Sequence, residues 1–105
     1  TDAFLIGLNN PMEETLKRIR KMEQAGADGI FVPKVVAESD IETVVNATRL
    51  PVNVLGMPGL PGFHRLQELG VKRVSMGSAV FRSMLAAYEG RVTSILERQS
   101  FDAIF

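Results

Sequence analysis

The sequence has no cysteine and no tryptophan, and it has one histidine and one tyrosine among 105 residues. Without cysteine, a disulfide framework, a thiolate metal site and thiol catalysis are all excluded. An excess of one charge is also missing, because 12 Lys and Arg balance 12 Asp and Glu. This balance supports neither a basic surface that binds nucleic acid nor a polybasic patch that binds an anionic membrane.

Long apolar runs are absent as well. No run approaches the roughly 20 residues that span a bilayer, and the first residues lack the basic segment and apolar core of a signal peptide. The 46% hydrophobic and 23% charged residues are typical of a globular domain. We therefore expect a cytoplasmic protein that binds neither membrane nor nucleic acid.

Short apolar runs alternate with helical patterns along the chain. Strands are predicted at residues 3–6, 29–32, 51–55 and 71–76, and each is followed by a helical pattern. Alternation at this spacing, with short glycine-containing turns, predicts right-handed β–α–β units around a parallel sheet. The predicted fold class is α/β.

Helix boundaries have local signals. Asn10 with Glu13, and Ser39 with Glu42, have the spacing of capping boxes that begin helices. Gly26 is expected to end the first helix in a left-handed conformation.

The chain is short for the fold that it predicts. A closed (β/α)₈ barrel needs about 250 residues, and a small parallel sheet alone would expose two apolar edges. We expect either the C-terminal part of a larger barrel or a sheet completed by association, and we favour the first.

Four segments recur in an order and spacing that carry a family resemblance: Thr1–Phe4, Gln24–Pro33, Leu50–Val54 and Leu69–Ser78. The chain resembles the isocitrate lyase/phosphoenolpyruvate mutase superfamily, most closely its methylisocitrate lyase-like and phosphonomutase-like bacterial members, including oxaloacetate decarboxylases. The resemblance covers essentially the whole chain. It implies that residues 1–105 are the end of strand five, strands six to eight and the terminal helical region of a TIM barrel. It also implies a homo-oligomer that exchanges its C-terminal helix between subunits.

The chemistry implied by the resemblance is cleavage or rearrangement of a C–C or P–C bond beside a 2-oxo or 2-hydroxy carboxylate. In the family, Mg²⁺ and an arginine hold the carboxylate and stabilise an enolate-like intermediate. A hard divalent cation suits that task because it neutralises charge on the enolate oxygen. The acidic metal ligands and the arginine lie outside these residues in the family, so the 105-residue chain is expected to be inactive.

Candidate site residues follow the predicted strands, because barrels carry their chemistry at the carboxyl ends of strands. Asp2 comes after the position of the family's arginine, and it would orient that arginine, hold water on the metal or simply cap a strand end. Lys34 could meet a substrate carboxylate, although an exposed lysine after a strand is the commoner interpretation. Pro33 stands where the family's lyases have glutamate and its mutases histidine, which favours a decarboxylase-like member.

Asn53 and Leu55 share one face of their strand because side chains alternate. Leu55 lies where some relatives have a substrate-binding asparagine. If Asn53 points into the barrel it needs a hydrogen-bond partner, and a structural role is favoured over substrate binding. Gly77 and Ser78 precede the last helix, where Ser78 is either an N-cap or part of an anion-binding site for substrate.

Two other functions remain open. One is a phosphate-binding TIM-barrel enzyme of another family, suggested by the turn at Gly77 and Ser78. The other is a non-catalytic half-barrel that acts only by association.

Overall fold

Three short strands form a parallel sheet in the order in which they occur in the chain. The structure is a computed structural model that describes residues 1–105. The strands are β1 (Ile30–Val32), β2 (Val52–Leu55) and β3 (Arg73–Ser75), arranged β1-β2-β3. Both pairings are parallel. The predicted α/β class with a parallel sheet is therefore confirmed.

Four helices alternate with the strands: α1 (Pro11–Gln24), α2 (Glu38–Asn46), α3 (Phe63–Glu68) and α4 (Ala79–Arg98). Gly26 and Gly70 follow α1 and α3 with φ of +83° and +89°. Only glycine takes this left-handed conformation without a steric cost, and it ends both helices. None of the helices combines the length and hydrophobicity that crossing a bilayer requires.

The core lies on one face of the sheet. Val32, Val54 and Val74 are aligned across the three strands, and they pack with side chains from three helices, Ile19 (α1), Ile41 (α2) and Leu66 (α3). Right-handed crossovers between strands in sequential order place their helices on the same face. The opposite face carries Phe31, Asn53 and Arg73 and has no helix over it.

The strand predicted at residues 3–6 is wrong, because this segment folds into turns. Its backbone groups bond locally, with Ile6 N–H donating to Asp2 O at 2.9 Å and Leu8 N–H to Ala3 O at 3.2 Å. Ala3 is nevertheless fully buried. The same apolar composition is compatible with a buried strand and with a turn that packs on the core. Composition alone therefore could not distinguish the two structures.

Neither predicted capping box forms its side-chain hydrogen bonds to the backbone. α2 begins at Glu38, so Ser39 lies inside the helix, and the N-cap residue is Ala37. Asn10 is the N-cap of α1 but makes no side-chain cap bond, and its Nδ2 instead donates to Glu13 Oε2 at 3.4 Å.

The last helix stands apart from the rest of the molecule. None of its 20 residues is buried. The chain measures 61 × 28 × 24 Å with a radius of gyration of 18.9 Å, whereas about 13 Å is usual for a compact domain of 100 residues. α4 therefore presents an apolar surface that the chain itself does not cover.

Candidate functional site

The three strands end at the same edge of the sheet, because all run in the same direction. We call this the carboxyl edge: the last residues of β1, β2 and β3 and the turns that follow them. Lys34 follows β1, and Gly77 and Ser78 follow β3. Lys34, Gly77 and Ser78, together with Leu55 at the end of β2, are therefore distributed along this edge.

Asn53 and Ser75 form a reciprocal pair between β2 and β3. Asn53 Nδ2 donates to Ser75 Oγ at 2.8 Å, and Ser75 Oγ donates to Asn53 Oδ1 at 3.2 Å. Asn53 is 4% exposed. The pair satisfies the buried amide without a ligand, which is the structural role favoured from the sequence.

Leu55 and Gly77 lie together at the end of the same two strands. A Cβ built on Gly77 would sit 3.7 Å from Leu55 Cδ1, and Gly77 has a φ of +52°. Gly56 N–H donates to Ser75 O at 2.7 Å and fixes the spacing of the two strand ends. Leu55 is aligned with Ser75, and it shares the face of β2 that carries Asn53, as the alternation of side chains predicted.

Ser78 occupies the N-cap position of α4 but makes no side-chain cap bond. The position predicted for it is right, and the capping bond is missing. Its hydroxyl group therefore remains available at the start of a 20-residue helix, where backbone N–H groups and the helix dipole favour an anion.

Lys34 has a left-handed backbone, with a φ of +68°. The buried residues Pro33 and Val35 flank it, and its own side chain is exposed and forms no ion pair. Left-handed backbone costs a residue with a Cβ about 1–2 kcal/mol. The turn thus holds a free ammonium group at the carboxyl edge at a steric cost.

Asp2 lies beside β1, on the side of the sheet away from β3 and Ser75. The amino group of Thr1 donates to Phe31 O at 2.5 Å, which places the first residues at the free edge of β1. Two strand spacings of about 4.8 Å separate β1 from β3. The structure thus brings Asn53, Leu55 and Gly77 together and leaves Asp2 apart from them.

Comparison with known proteins identifies the chain. The family model described as phosphoenolpyruvate phosphomutase matches residues 1–96, which include all three strands and most of α4. The chain belongs to the phosphoenolpyruvate phosphomutase family. The resemblance to the isocitrate lyase/phosphoenolpyruvate mutase superfamily is thereby confirmed.

Curated relatives support this membership. An uncharacterized protein of Mycobacterium tuberculosis is 35% identical over 95 residues, which are 89% of this chain and 36% of that protein. An oxaloacetate decarboxylase of Ectopseudomonas mendocina is 33% identical over 81 residues, 74% of this chain and 28% of the enzyme. The chain therefore spans about a third of the length of the curated relatives that it matches.

Two solved structures share the fold. Both are crystal structures of Burkholderia cenocepacia J2315 proteins, provisionally assigned as a lyase/mutase and a phosphonomutase. The first has a TM-score of 0.86 and 32% identity and covers 95% of this chain and 36% of that one. The second has a TM-score of 0.80 and 31% identity and covers 90% and 40%.

The Mg²⁺ ion implied by the superfamily does not fit the residues present. The structure contains no group of three or more Asp, Glu or His side chains that could hold a metal. Asp2 is a single exposed carboxylate, and Mg²⁺ requires octahedral oxygen ligands. No catalytic step can be routed through a metal held by these residues of the phosphomutase-family chain.

The side chains with a shifted pKa belong to helices and not to the carboxyl edge. The hydrogen bond from Arg18 lowers the pKa of Glu14, and those from the Thr48 hydroxyl and the Arg49 N–H lower the pKa of Glu23. Glu38 and Glu68 raise the pKa of Arg65. These shifts reflect ion pairs and hydrogen bonds within helices and between elements, so they do not identify an acid or base at the edge.

A cavity of about 460 Å³ lies at the opposite end of the sheet. Asp28, Pro51 and Lys72, which precede the strands, line it together with Phe31, Asn53 and Arg73 of the open face. Because chemistry in parallel α/β sheets occurs at the carboxyl ends of strands, this cavity is not the candidate site of the phosphomutase-family chain.

Sequence reasoning missed Ser75 and Arg73. Both lie in the segment Leu69–Ser78 that carries the resemblance, but the sequence assigns no role to either side chain, because their roles depend on the register that pairs Asn53 with Arg73 and Leu55 with Ser75. Alternation within the predicted strand at 71–76 would have placed both on one face, and only the neighbouring strand shows which face that is.

Proposed function

We propose that residues 1–105 are the C-terminal half of a TIM (β/α)₈ barrel. Two features support this. The strands are in sequential order with the core helices on one face, as in a barrel wall and unlike a sheet covered on both faces. The chain also spans 36% of the relative with a TM-score of 0.86. In this arrangement the open face of the sheet is the barrel interior.

The function that we propose is that of a lyase/mutase-type enzyme acting on a small 2-oxo or 2-hydroxy carboxylate. The observation that carries it is the family match over residues 1–96. Among family reactions, decarboxylation of an oxaloacetate-like substrate is favoured because Pro33 stands where a lyase glutamate or a mutase histidine is expected. The oxaloacetate decarboxylase relative supports the same choice. Cleavage of a methylisocitrate-like substrate is the second possibility.

The carboxyl edge supplies substrate contacts in this proposal. Lys34, Gly77 and Ser78 would bind carboxylate groups, and Leu55 would form an apolar wall beside them. Asn53 would act through Ser75 to hold the ends of β2 and β3. Asp2 would orient an arginine, and Mg²⁺ and that arginine would be held by residues outside this chain. The ion would neutralise charge that develops on the substrate oxygen.

The decisive assay is pyruvate release from oxaloacetate, coupled to lactate dehydrogenase, with an enzyme-free Mg²⁺ control for spontaneous decarboxylation. The natural polypeptide that contains these residues should release pyruvate, lose activity with EDTA and regain it with Mg²⁺. The 105-residue chain should show no release above the control. Absence of turnover by the natural polypeptide with oxaloacetate, methylisocitrate and phosphoenolpyruvate would refute the proposal.

A matched pair of variants tests the carboxyl edge. Lys34→Ala should raise KM for oxaloacetate about tenfold, the value of one lost charged hydrogen bond. Lys21→Ala, an exposed lysine on α1, should leave KM unchanged. Equal KM values for both variants would remove Lys34 from the site.

The chain is further proposed to form a homo-oligomer through its terminal helix. Exposed apolar side chains follow one stripe of α4: Phe81, Met84, Leu85, Tyr88, Val92 and Leu96. A stripe of this kind is stable when a second surface covers it. The partner proposed is a second copy that contributes its own α4.

The two alternative functions fare differently. A phosphate-binding barrel of another family is disfavoured, because the family match extends through Gly77 and Ser78. A non-catalytic half-barrel is the second candidate, and it applies to the 105-residue chain alone. This function predicts a folded oligomer that releases no pyruvate. The assay of the natural polypeptide tests whether the longer protein is an active enzyme.

A further inference from the structure

The open face of the sheet has a defined row of side chains. Phe31 is aligned with Asn53, and Asn53 with Arg73, across the three strands. Because aligned residues of neighbouring strands point to the same face, these three side chains share one side of the sheet, and all three line the cavity of about 460 Å³. Leu55 and Ser75 form the next row towards the carboxyl edge.

Arg73 is the one charged group among these five side chains. Asn53 and Ser75 satisfy each other, and Phe31 and Leu55 are apolar. Arg73 is exposed and has no ion pair. Around the cavity, Lys72 and Arg73 outnumber Asp28, the only carboxylate. Any surface that covers this face therefore meets a net positive charge.

Covering the face buries the guanidinium group of Arg73. A buried cation without a partner is costly, so the covering surface must supply a carboxylate or leave the cation in water. A second copy would bring a second Arg73 and Lys72 to the contact. The part of the family protein that this chain does not span, about two thirds of the relative's length, is a different sequence and need not repeat Arg73 and Lys72.

We propose that the open face of the sheet is covered by the remaining strands of the barrel, which place a carboxylate opposite Arg73. The ion pair lies at the amino ends of the strands, away from the carboxyl edge, and it joins the two parts of the barrel. This inference rests on the proposed barrel. It specifies that the remaining strands contribute a carboxylate.

Chemical modification tests the covering. The natural polypeptide and the 105-residue chain are treated with phenylglyoxal, and the modification of each arginine is followed by mass spectrometry. Arg73 should react about tenfold more slowly in the natural polypeptide, because reaction requires local opening, while exposed Arg20 reacts equally in both. Equal rates at Arg73 would overturn the proposal. So would protection that disappears on dilution, which would indicate a second copy.

Thermal unfolding of the natural polypeptide tests the carboxylate. Arg73→Met leaves a partner carboxylate buried and unpaired and should lower the melting temperature by roughly 5 °C or more, or prevent folding. Arg73→Lys keeps the charge and should retain most of the stability. Arg20→Met is the control and should change little. A neutral or stabilising Arg73→Met would show that no carboxylate faces Arg73.

Neither measurement uses enzymatic activity, so the two proposals fail separately. A polypeptide that is inactive on oxo-acids but protects Arg73 refutes the proposed reaction alone. An active enzyme with a freely reactive Arg73 refutes this inference alone.

Discussion

At the scale of single residues, the Asn53–Ser75 pair is the best-defined feature of the candidate site. Each side chain both donates to and accepts from the other, across β2 and β3. The two mutual hydrogen bonds join β2 to β3 and fix their ends beside Leu55 and Gly77. Its contribution to the site is therefore geometric.

A double-mutant cycle measures this pair. Asn53→Ala should lower the free energy of unfolding by about 2 kcal/mol, and Ser75→Ala by about 1 kcal/mol, because each leaves a partner without its hydrogen bond. The double variant should cost less than the sum. Urea denaturation provides the measurement. Strictly additive losses would mean that the two side chains do not interact.

Lys34 combines backbone strain with a free charge. Lys34→Gly should raise the free energy of unfolding by about 0.5–1 kcal/mol, since glycine takes a φ of +68° without a Cβ clash. Lys72→Gly, at a lysine without a positive φ, should lower stability instead. Urea denaturation of both variants checks the signs. A destabilised Lys34→Gly would show that the side chain, and not the backbone, holds the turn.

Residue roles could be predicted in part from the sequence. Alternation along a strand correctly placed Asn53 and Leu55 on one face, because that period is intrinsic to extended backbone. The partner of Asn53 could not be predicted, since it depends on the register with a strand 20 residues further along the chain. Ser78 and Asn10 took their predicted N-cap positions, but their side chains form no cap bonds.

At the scale of elements, apolar composition predicted three strands and failed for a fourth. Residues 29–32 and 51–55 contain strands that bury two or more side chains. Residues 3–6 are similarly apolar but form turns closed by local hydrogen bonds. A segment becomes a strand only when an adjacent strand pairs with it over several residues. The hydrophobicity of the segment does not show whether such a neighbour is present.

Glu23 joins the end of α1 to the segment that leads into β2. Its Oε1 accepts hydrogen bonds from the Thr48 hydroxyl and, at 3.1 Å, from the Arg49 N–H. These donors lower the pKa of Glu23 from its usual 4.5. Because the folded-state pKa lies below the unfolded one, the stabilisation is present above pH 4.5 and is lost as the pH falls through the folded-state pKa.

Glu23→Gln should therefore lower the melting temperature at neutral pH, since the charged acceptor is lost. The difference from the unmodified chain should shrink as the pH falls below 4.5. Thermal unfolding followed by circular dichroism across this range provides the comparison. Glu42→Gln, at an exposed carboxylate on α2 without hydrogen bonds, should show a much smaller difference at neutral pH. A pH-independent effect of Glu23→Gln would contradict the charged hydrogen bonds.

At the scale of the whole molecule, two surfaces remain uncovered, the open face of the sheet and the apolar stripe of α4. They differ in chemistry. The open face carries Arg73 and a pair of bonded polar groups, whereas the exposed large side chains of the α4 stripe are apolar or aromatic. A charged face selects a complementary partner, and an apolar stripe suits a second copy of itself. The molecule thus has separate surfaces for completing the barrel and for forming an oligomer.

The stripe of α4 gives the last prediction. Burying large apolar side chains is worth about 1.5–3 kcal/mol each, so the 105-residue chain should have a solution mass of at least twice 11.5 kDa. Leu85→Lys places a charge on the stripe in both copies and should weaken association roughly 100-fold. Ala86→Lys introduces the same charge outside the stripe, because successive residues turn by about 100°, and should leave the mass unchanged. Light scattering across a dilution series measures both variants. Equal weakening of association by both variants would mean that α4 does not associate through this stripe. An unmodified chain that stays monomeric at every concentration would refute the proposed homo-oligomer, and the stripe would then bind another partner.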